Sequence, residues 1–383
     1  MKILIINKSF ELGGIQMALA NLLEEISDEY DISLAVFNPR GPMLERVPDN
    51  VKLLKLSPLV EVLGMTSKDC KKFGTITQKI FKLVGGIWSK FFGNTLPIAV
   101  ALASQPNVGE YDVVISYHQE ARPKTLVAGF GKFALEKCNA KKRITWVHAD
   151  FLATGLATRR NLKTYEKFDK IVCVSKTSAN NFATAYPSLE AKCDYCYNCI
   201  PVSNIVEKSN RQKNVFSKEQ GDVVLFSACR LVVEKGLVPA LKNLSPLFHN
   251  HNNLKWYIAG TGPEEPALRR VITEEHLEQQ VILMGFQQNP YPYIKEADYL
   301  FLPSLHETFS MVAREAAVFG TPVIASDIPI MREVLGDEDV ICADGNYLAA
   351  VESLLISNNS EAASLDLRNP LDWKEQFERV LQC

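Results

Sequence analysis

Apolar residues along the chain come in two spacings. Short unbroken runs, KILIIN (2–7), DISLAVF (31–37), DVVISY (112–117), RITWVH (143–148) and KIVCVS (170–175), have the length of strands buried on both faces. Between the first two lies IQMALANLLEEI (15–26), whose apolar positions follow helical spacing. Strand, helix, strand is a βαβ unit, and its repetition predicts a doubly wound parallel sheet. A second series starts at DVVLFSAC (222–229). It continues through the helix GLVPALKNLSPLF and the strand LKWYIAG (254–260), then adds VILMG, DYLFLP and PVIAS (322–326). Pro263 is expected at a helix start, where its missing N–H is tolerated. Residues 203–220 are polar, lack an apolar period and read as a linker. The expected fold class is α/β, with two tandem Rossmann-like doubly wound domains facing across a cleft. Their expected spans are 1–203 and 204–365, followed by a terminal segment, 366–383. That segment reads as an amphipathic helix with Trp373, Phe377, Val380 and Leu381 toward one side.

One stretch departs from this alternation. In residues 68–92, Ile76, Ile80, Leu83, Val84, Ile87 and Phe91 form a helical apolar stripe. Lys79, Lys82 and Lys90 lie off it, with Trp88 and Phe92 at its edges. A basic amphipathic helix with aromatics suits an anionic membrane surface, with Lys79, Lys82, Trp88, Lys90 and Phe91 as contacts. The alternative is a helix packed on the first domain with solvated lysines.

Composition narrows the choice. A chain of 383 residues is long for one core, and a net charge of −2 exerts no global pull toward nucleic acid. The N-terminal apolar run is too short for a secretory signal, and no stretch is long and apolar enough to span a bilayer. The expectation is a cytoplasmic protein, peripheral at the inner face of the membrane if the basic helix binds there. Nine cysteines then stay reduced. Cys193, Cys196 and Cys199 form a C-x2-C-x2-C run, but position 203 is Ser203 where an iron–sulfur run needs its fourth Cys. CDYCYNCI also reads as a strand, on which alternation would point Cys196 away from the other two thiols. No metal site is expected there.

The chemistry concentrates in four stretches. In ACRLVVEKGL, Arg230 follows a strand and Lys235 precedes a helix, so two cations lie where open α/β sheets bind ligands and would suit a diphosphate. In AGTGPEEPAL, Gly260 and Gly262 follow a strand, either to admit a ligand or simply to make a tight turn. In HETFSMVAREAAVFGTPVIAS, Glu307 and Glu315 stand eight positions apart. Eight residues of helix span about 12 Å, roughly the reach from the sugar of a nucleotide-sugar to its ribose. Between the two carboxylates lies a helix start near Phe309, whose N–H groups at Ser310, Met311 and Val312 favour a phosphate. In the first domain, Gly13-Gly14 precedes a helix, and His148 and Asp150 follow a strand end. His118 follows another strand and ranks below them.

In this order, the Gly-Gly loop, R-x4-K-G, G-x-G-P, E-x7-E and G-T-P-V-I-A-S resemble the retaining glycosyltransferases of the GT-B fold, family four, over nearly the whole chain. The closing W-x-x-x-F helix resembles the family's last segment, which crosses back to the first domain. The resemblance implies sugar transfer from a nucleotide-sugar donor with retained anomeric configuration, no cofactor and no obligatory metal. Arg230 and Lys235 would stabilise the departing diphosphate, Glu307 would hold donor-sugar hydroxyls, and Glu315 would hold the ribose. His148 would lie beside the transferred sugar, and Asp150 would orient an acceptor hydroxyl. The implied partners are a nucleotide-sugar and a glycan or lipid-linked saccharide of cell-surface polysaccharide synthesis. Two departures stand out. Ser310 replaces the family's frequent Gly in Glu-Gly-Phe-Gly, and Cys199 replaces the Gly of an Asn-Gly pair. A GT-B sugar-nucleotide epimerase or phosphorylase, or a binding protein without catalysis, remains the alternative.

Overall fold

The computed structural model describes residues 1–335, 339–342, 345–357 and 373–382. The expected boundary at 365/366 lies outside the described residues, as do Leu371, Asp372 and Cys383 of the expected last helix. The chain divides into two compact units. One comprises Met1–Cys199 and the helix Trp373–Leu381, and the other begins at Ile200.

The first unit is built on seven parallel strands. These are β1 Lys2–Ser9, β2 Asp31–Asn38, β3 Lys52–Leu54, β4 Glu110–Ser116, β5 Asn139–Val147, β6 Lys170–Cys173 and β7 Cys193–Tyr195, in the order β3-β2-β1-β4-β5-β6-β7. The order reverses between β1 and β4, which pair from Ile3↔Val113 to Ile6↔Ser116. At such a reversal the two connecting chains leave in opposite directions and open a crevice at the carboxyl edge. The terminal helix packs on this unit. Its Gln376 Oε1 accepts from Tyr197 N at 2.9 Å, Phe377 meets the rings of Trp146 and Tyr30, and Arg379 pairs with Asp194 at 2.7 Å.

The second unit repeats the plan with six strands. They are β8 Val223–Ala228, β9 Leu254–Ala259, β10 Val281–Gly285, β11 Tyr299–Leu302, β12 Val323–Ser326 and β13 Val340–Cys342, in the order β10-β9-β8-β11-β12-β13. Here the reversal falls between β8 and β11. Its core is aliphatic around Trp256, whose Nε1 donates to Ser227 Oγ at 2.9 Å, while that hydroxyl donates to Phe301 O at 2.6 Å.

Several local expectations change. The first residues of the stretch read as linker, 203–209, belong to the helix Val202–Ser209, with Ile205 and Ser209 buried. It has three apolar residues, and of these only Ile205 is buried, too few to show a period in so polar a sequence. The helix expected at Pro263 begins at Glu265, with Pro266 in its first turn, because Glu264 N is held by Leu231 O at 2.9 Å. The Cys-rich segment is a strand only through Tyr195. Cys196 and Cys199 are buried, and burial keeps both thiols protonated. Their sulfurs lie near the carbonyls of Trp373 and Asn21. No cluster of metal-ligating residues occurs among the described residues.

The helix Ile76–Phe92 forms as expected, with its apolar stripe outward, the reverse of the alternative in which the helix packs on the first domain and its lysines are solvated. Gln78, Gly85 and Ser89 are buried. Gln78 closes a capping box with Thr75 and donates to Pro58 O at 2.9 Å. A Cβ at Gly85 would stand 3.4 Å from Pro97 and Leu126, so glycine sets the close approach here. Lys82 also points inward. Its Nζ donates to Val62 O and Met65 O, and burial lowers its pKa to about 8. Lys82 is therefore withdrawn from the surface contact expected of it. The apolar stripe faces outward, with Ile76 78%, Leu83 64% and Phe91 70% exposed.

In the second unit, loops at the carboxyl edge meet backbone to backbone. At Gly260, φ is +144° and a Cβ would fall 1.8 Å from Cys229 O. The glycine serves packing between the loops after β8 and β9. A Gly260→Ala substitution is expected to lower stability by more than about 2 kcal/mol. Gly320→Ala, at φ +69° with nothing within 4 Å, is expected to lose only about 1 kcal/mol, the strain of a left-handed alanine. Urea unfolding of the two variants measures the difference.

Candidate active site

The loop after β8, residues 229–236, carries Arg230 and Lys235. The loop after β11, residues 303–310, carries Glu307 and Ser310. Both leave the carboxyl edge at the strand-order reversal, and they are stitched together. Leu305 N donates to Glu234 O at 2.9 Å, and a Cβ on Gly236 would fall 2.0 Å from Pro303 O. Gly236 takes φ +64°, caps the helix Leu237–Asn250 and allows that approach.

This stitching brings two residues 72 positions apart into an ion pair. Lys235 Nζ donates to Glu307 Oε1, with the two side chains 20% and 12% exposed. Ser304 Oγ donates to the same oxygen at 3.0 Å. Removing either partner of such a pair, largely withdrawn from water, leaves the other charge uncompensated. Arg230 is exposed beside it and makes no ion pair among the described residues. Cys229 lies within the field of all three charges, but burial raises its thiol to about 11, so it stays protonated at neutral pH.

Seven residues separate Glu307 from Glu315, but the intervening chain is not one helix. The helix is Met311–Phe319, and Ser310 precedes it with φ +60° and ψ +76°. The helical estimate of reach between the two carboxylates therefore does not apply, because half of the interval is loop. Glu315 is buried and Phe309 lies beneath the loop at 2% exposure. The first helical hydrogen bond runs from Arg314 N to Ser310 O at 3.4 Å, so Met311, Val312 and Ala313 have no helical carbonyl for their N–H groups. Gly262, like Gly260, packs against backbone, with a Cβ 2.2 Å from Leu231 O.

In the first unit the expected residues also gather at a carboxyl edge. Gly13 caps the helix Gly14–Ile26 in extended backbone, and a Cβ at Gly14 would meet nothing within 4 Å. His148, just after β5, is buried against the Tyr117 ring at 4.8 Å, and its Nε2 is enclosed without a hydrogen-bond partner among the described residues. Burial, together with His118 nearby, lowers its pKa from 6.5 to about 3. Burial lowers His118 to about 4. Both imidazoles are neutral at physiological pH, suited to hydrogen bonding with a hydroxyl. Asp150 differs from expectation. Its Oδ1 accepts from Leu152 N at 2.8 Å and Ala153 N at 3.3 Å, and its Oδ2 accepts from Asn181 Nδ2 at 3.0 Å. Those bonds hold it to its own loop and to the helix Lys176–Ala185, partners that the expected role of orienting an acceptor hydroxyl did not include. Sequence reasoning missed Ser304 and Gly236, whose roles depend on contacts between loops that are distant along the chain.

Comparison with known proteins shows what the chain is similar to. Residues 208–367 match the family model described as glycosyl transferases group 1. The O-antigen biosynthesis glycosyltransferase WclY of Escherichia coli is 28% identical over 169 residues, 44% of this chain and 46% of that protein. A Campylobacter jejuni transferase, the N-acetylgalactosamine-N,N'-diacetylbacillosaminyl-diphospho-undecaprenol 4-alpha-N-acetylgalactosaminyltransferase, is 29% identical over 176 residues, 46% of each chain. These matches span a little under half the length of those relatives. HepE of Anabaena, solved in complex with UDP-glucose, superposes with a TM-score of 0.67 at 16% identity, covering 99% of this chain and 98% of its own. The fold of the whole chain is thus GT-B. Residues 208–367, within its second unit, are similar to the group 1 glycosyl transferases, in agreement with the resemblance read from the motifs.

The histidine environment predicts a pH effect with a definite sign. The unfolded chain takes up protons near pH 6.5, while the folded histidines refuse them until about 4 and about 3. Stability is therefore lost as pH falls from 6.5 toward 4. A His118→Gln variant should show a shallower decline in thermal midpoint across that window than the unaltered protein, measured at closely spaced pH values.

Proposed function

We propose that the chain is a retaining, metal-independent glycosyltransferase of family four. It would move a sugar from a nucleotide-sugar to a glycan or lipid-linked saccharide acceptor in cell-surface polysaccharide synthesis. The observation that carries this reading is the Lys235–Glu307 pair, set beside an uncapped helix start at the strand-order reversal. Lys235 and the exposed Arg230 would draw charge from the leaving diphosphate as the bond from the anomeric carbon to oxygen breaks. Glu307, released from Lys235, would accept hydrogen bonds from donor-sugar hydroxyls, and Glu315 would serve the ribose. In same-face attack the acceptor oxygen bonds to the anomeric carbon while its proton passes to the departing phosphate oxygen. No protein base is then needed, and two side-chain cations occupy the role that a metal would otherwise fill. His148, neutral and with a free Nε2, would contact the transferred sugar. The naming of WclY and of the Campylobacter undecaprenyl-linked transferase supports a glycan or lipid-linked acceptor.

A lipid-linked acceptor calls for contact with a bilayer, and the helix Ile76–Phe92 supports it. Its outward face is apolar, Phe92 is 75% exposed, and Lys79 and Lys90 are exposed along it. Lys68, Lys71 and Lys72 stand on the preceding helix and are exposed as well. An apolar strip rimmed by lysines is complementary to an anionic bilayer surface, into which it would sink by its apolar face. Among the described residues no helix is long and apolar enough to cross a membrane.

Two experiments test these readings. A panel of nucleotide-sugars, with and without EDTA, should yield one donor that releases its nucleotide in the presence of chelator, with proton NMR of the product showing the donor's own anomeric configuration. Lys235→Ala should then lower kcat/KM by about 10²–10³-fold, the usual loss on removing one transition-state charge contact. Full activity in that variant would remove Lys235 from the mechanism. For the membrane, the protein should sediment with vesicles containing phosphatidylglycerol. Leu83→Asp with Phe91→Asp should abolish this binding, and Lys79→Glu with Lys90→Glu should weaken it in a salt-dependent way. Undiminished sedimentation of the double aspartate variant would refute the bilayer reading.

A further inference from the structure

Ser310 stands in an unfavourable place. It has φ +60°, one of three non-glycine residues with positive φ among the described residues. A serine side chain in left-handed backbone is strained, and glycine would relieve that strain. The hydroxyl gains no hydrogen bond in return among the described residues. Ser310 is 6% exposed, and its Oγ is enclosed without a hydrogen-bond partner among the described residues. At an ordinary helix start a serine accepts from the N–H two or three residues on. Ser310 does not, because its left-handed backbone turns the side chain out of that geometry. Strain and an unsatisfied buried hydroxyl therefore fall on one residue, at the start of the nine-residue helix Met311–Phe319.

The surroundings indicate what would satisfy it. Ser310 adjoins the N–H groups of Met311, Val312 and Ala313, which lack helical carbonyls, at the positive end of a helix dipole. Three residues before it is Glu307, paired to Lys235. A hydroxyl with no acceptor among the described residues, beside amides that lack helical carbonyls at a helix N-terminus, is suited to donate to an anion. We propose that Ser310 Oγ donates a hydrogen bond to a phosphate oxygen of the donor's diphosphate, adding a side-chain contact to those of the helix amides. Ser310 is then a binding residue whose strain in the free protein is offset when the phosphate arrives. This inference rests on the glycosyltransferase reading, and specifies how its donor site holds phosphate.

The test pairs two readouts that a merely structural serine would not move in opposite directions. Ser310→Gly removes both strain and hydroxyl, and Ser310→Ala removes the hydroxyl alone. Each variant of the full chain is assayed for thermal midpoint without ligand, and by calorimetry for dissociation constants of UDP, GDP and inorganic pyrophosphate. The expected result is a midpoint higher by about 2–4 °C in Ser310→Gly. Binding of the diphosphate-bearing probes should be about 10- to 100-fold weaker in both variants, the effect of losing a hydrogen bond to a charged group. Binding unchanged or tightened in both variants would overturn the proposal and leave the glycosyltransferase reading intact. A fall in thermal midpoint in Ser310→Ala would overturn it too, because the hydroxyl would then have a structural partner. If the unaltered protein binds none of the three probes, the donor-site reading itself fails, and this inference with it.

Discussion

A parallel strand cannot turn back on itself. Each must be joined to the next by a crossover, and a sheet that grows both ways from its middle must reverse its winding once. In the second unit that reversal is the pairing of β8 with β11, through Tyr299↔Leu225 and Leu300↔Phe226. The candidate chemistry of this unit hangs on that pairing. It delivers the loop after β8 and the loop after β11 side by side, so that Lys235 meets Glu307 across a large separation in sequence. The glycines at 236 and 260 let backbone touch backbone where the loops converge. With a side chain at either position the loops would stand apart and the ion pair would lose its geometry.

Polar groups in both units are left waiting rather than satisfied. Lys235 and Glu307 neutralise each other, Ser310 Oγ is enclosed without a partner, and His148 Nε2 is likewise alone among the described residues. Buried polar atoms are ordinarily satisfied. Exceptions concentrated at the carboxyl edges of two sheets are consistent with sites built for a polar ligand. The contrast with Asp150 is informative. Its carboxylate accepts three hydrogen bonds from its own loop and Asn181, and it lies only two residues from His148.

The helix Ile76–Phe92 obeys a different constraint. It is fastened to the first unit by hydrogen bonds from Gln78 and Lys82 and by the close approach at Gly85, not by its apolar stripe. A helix that spends polar contacts on its own protein and presents aliphatic and aromatic residues outward has its hydrophobic driving force still unspent. The stripe was plain in the sequence, but its direction was not. Periodicity shows that a helix has two faces and says nothing about which one the fold will cover.

That distinction runs through the whole molecule. The sequence alone determined the strand runs at 2–7, 31–37, 222–229 and 254–260, because continuous apolar burial on both faces of a parallel sheet writes itself as unbroken runs. It determined the order of Arg230, Lys235, Glu307 and Glu315, and with it the resemblance to GT-B enzymes. It misjudged residues 203–209, the start of the helix at Glu265 and the extent of the Cys-rich strand, because each depends on contacts with distant segments. Only tertiary structure decided that Lys235 and Glu307 are partners, that Lys82 is buried, that Asp150 is engaged and that Ser310 is strained. Local sequence carries periodicity and chain conformation. Ion pairing, burial and unsatisfied hydrogen bonds are set by which residues the crossovers bring together, and no local pattern records that.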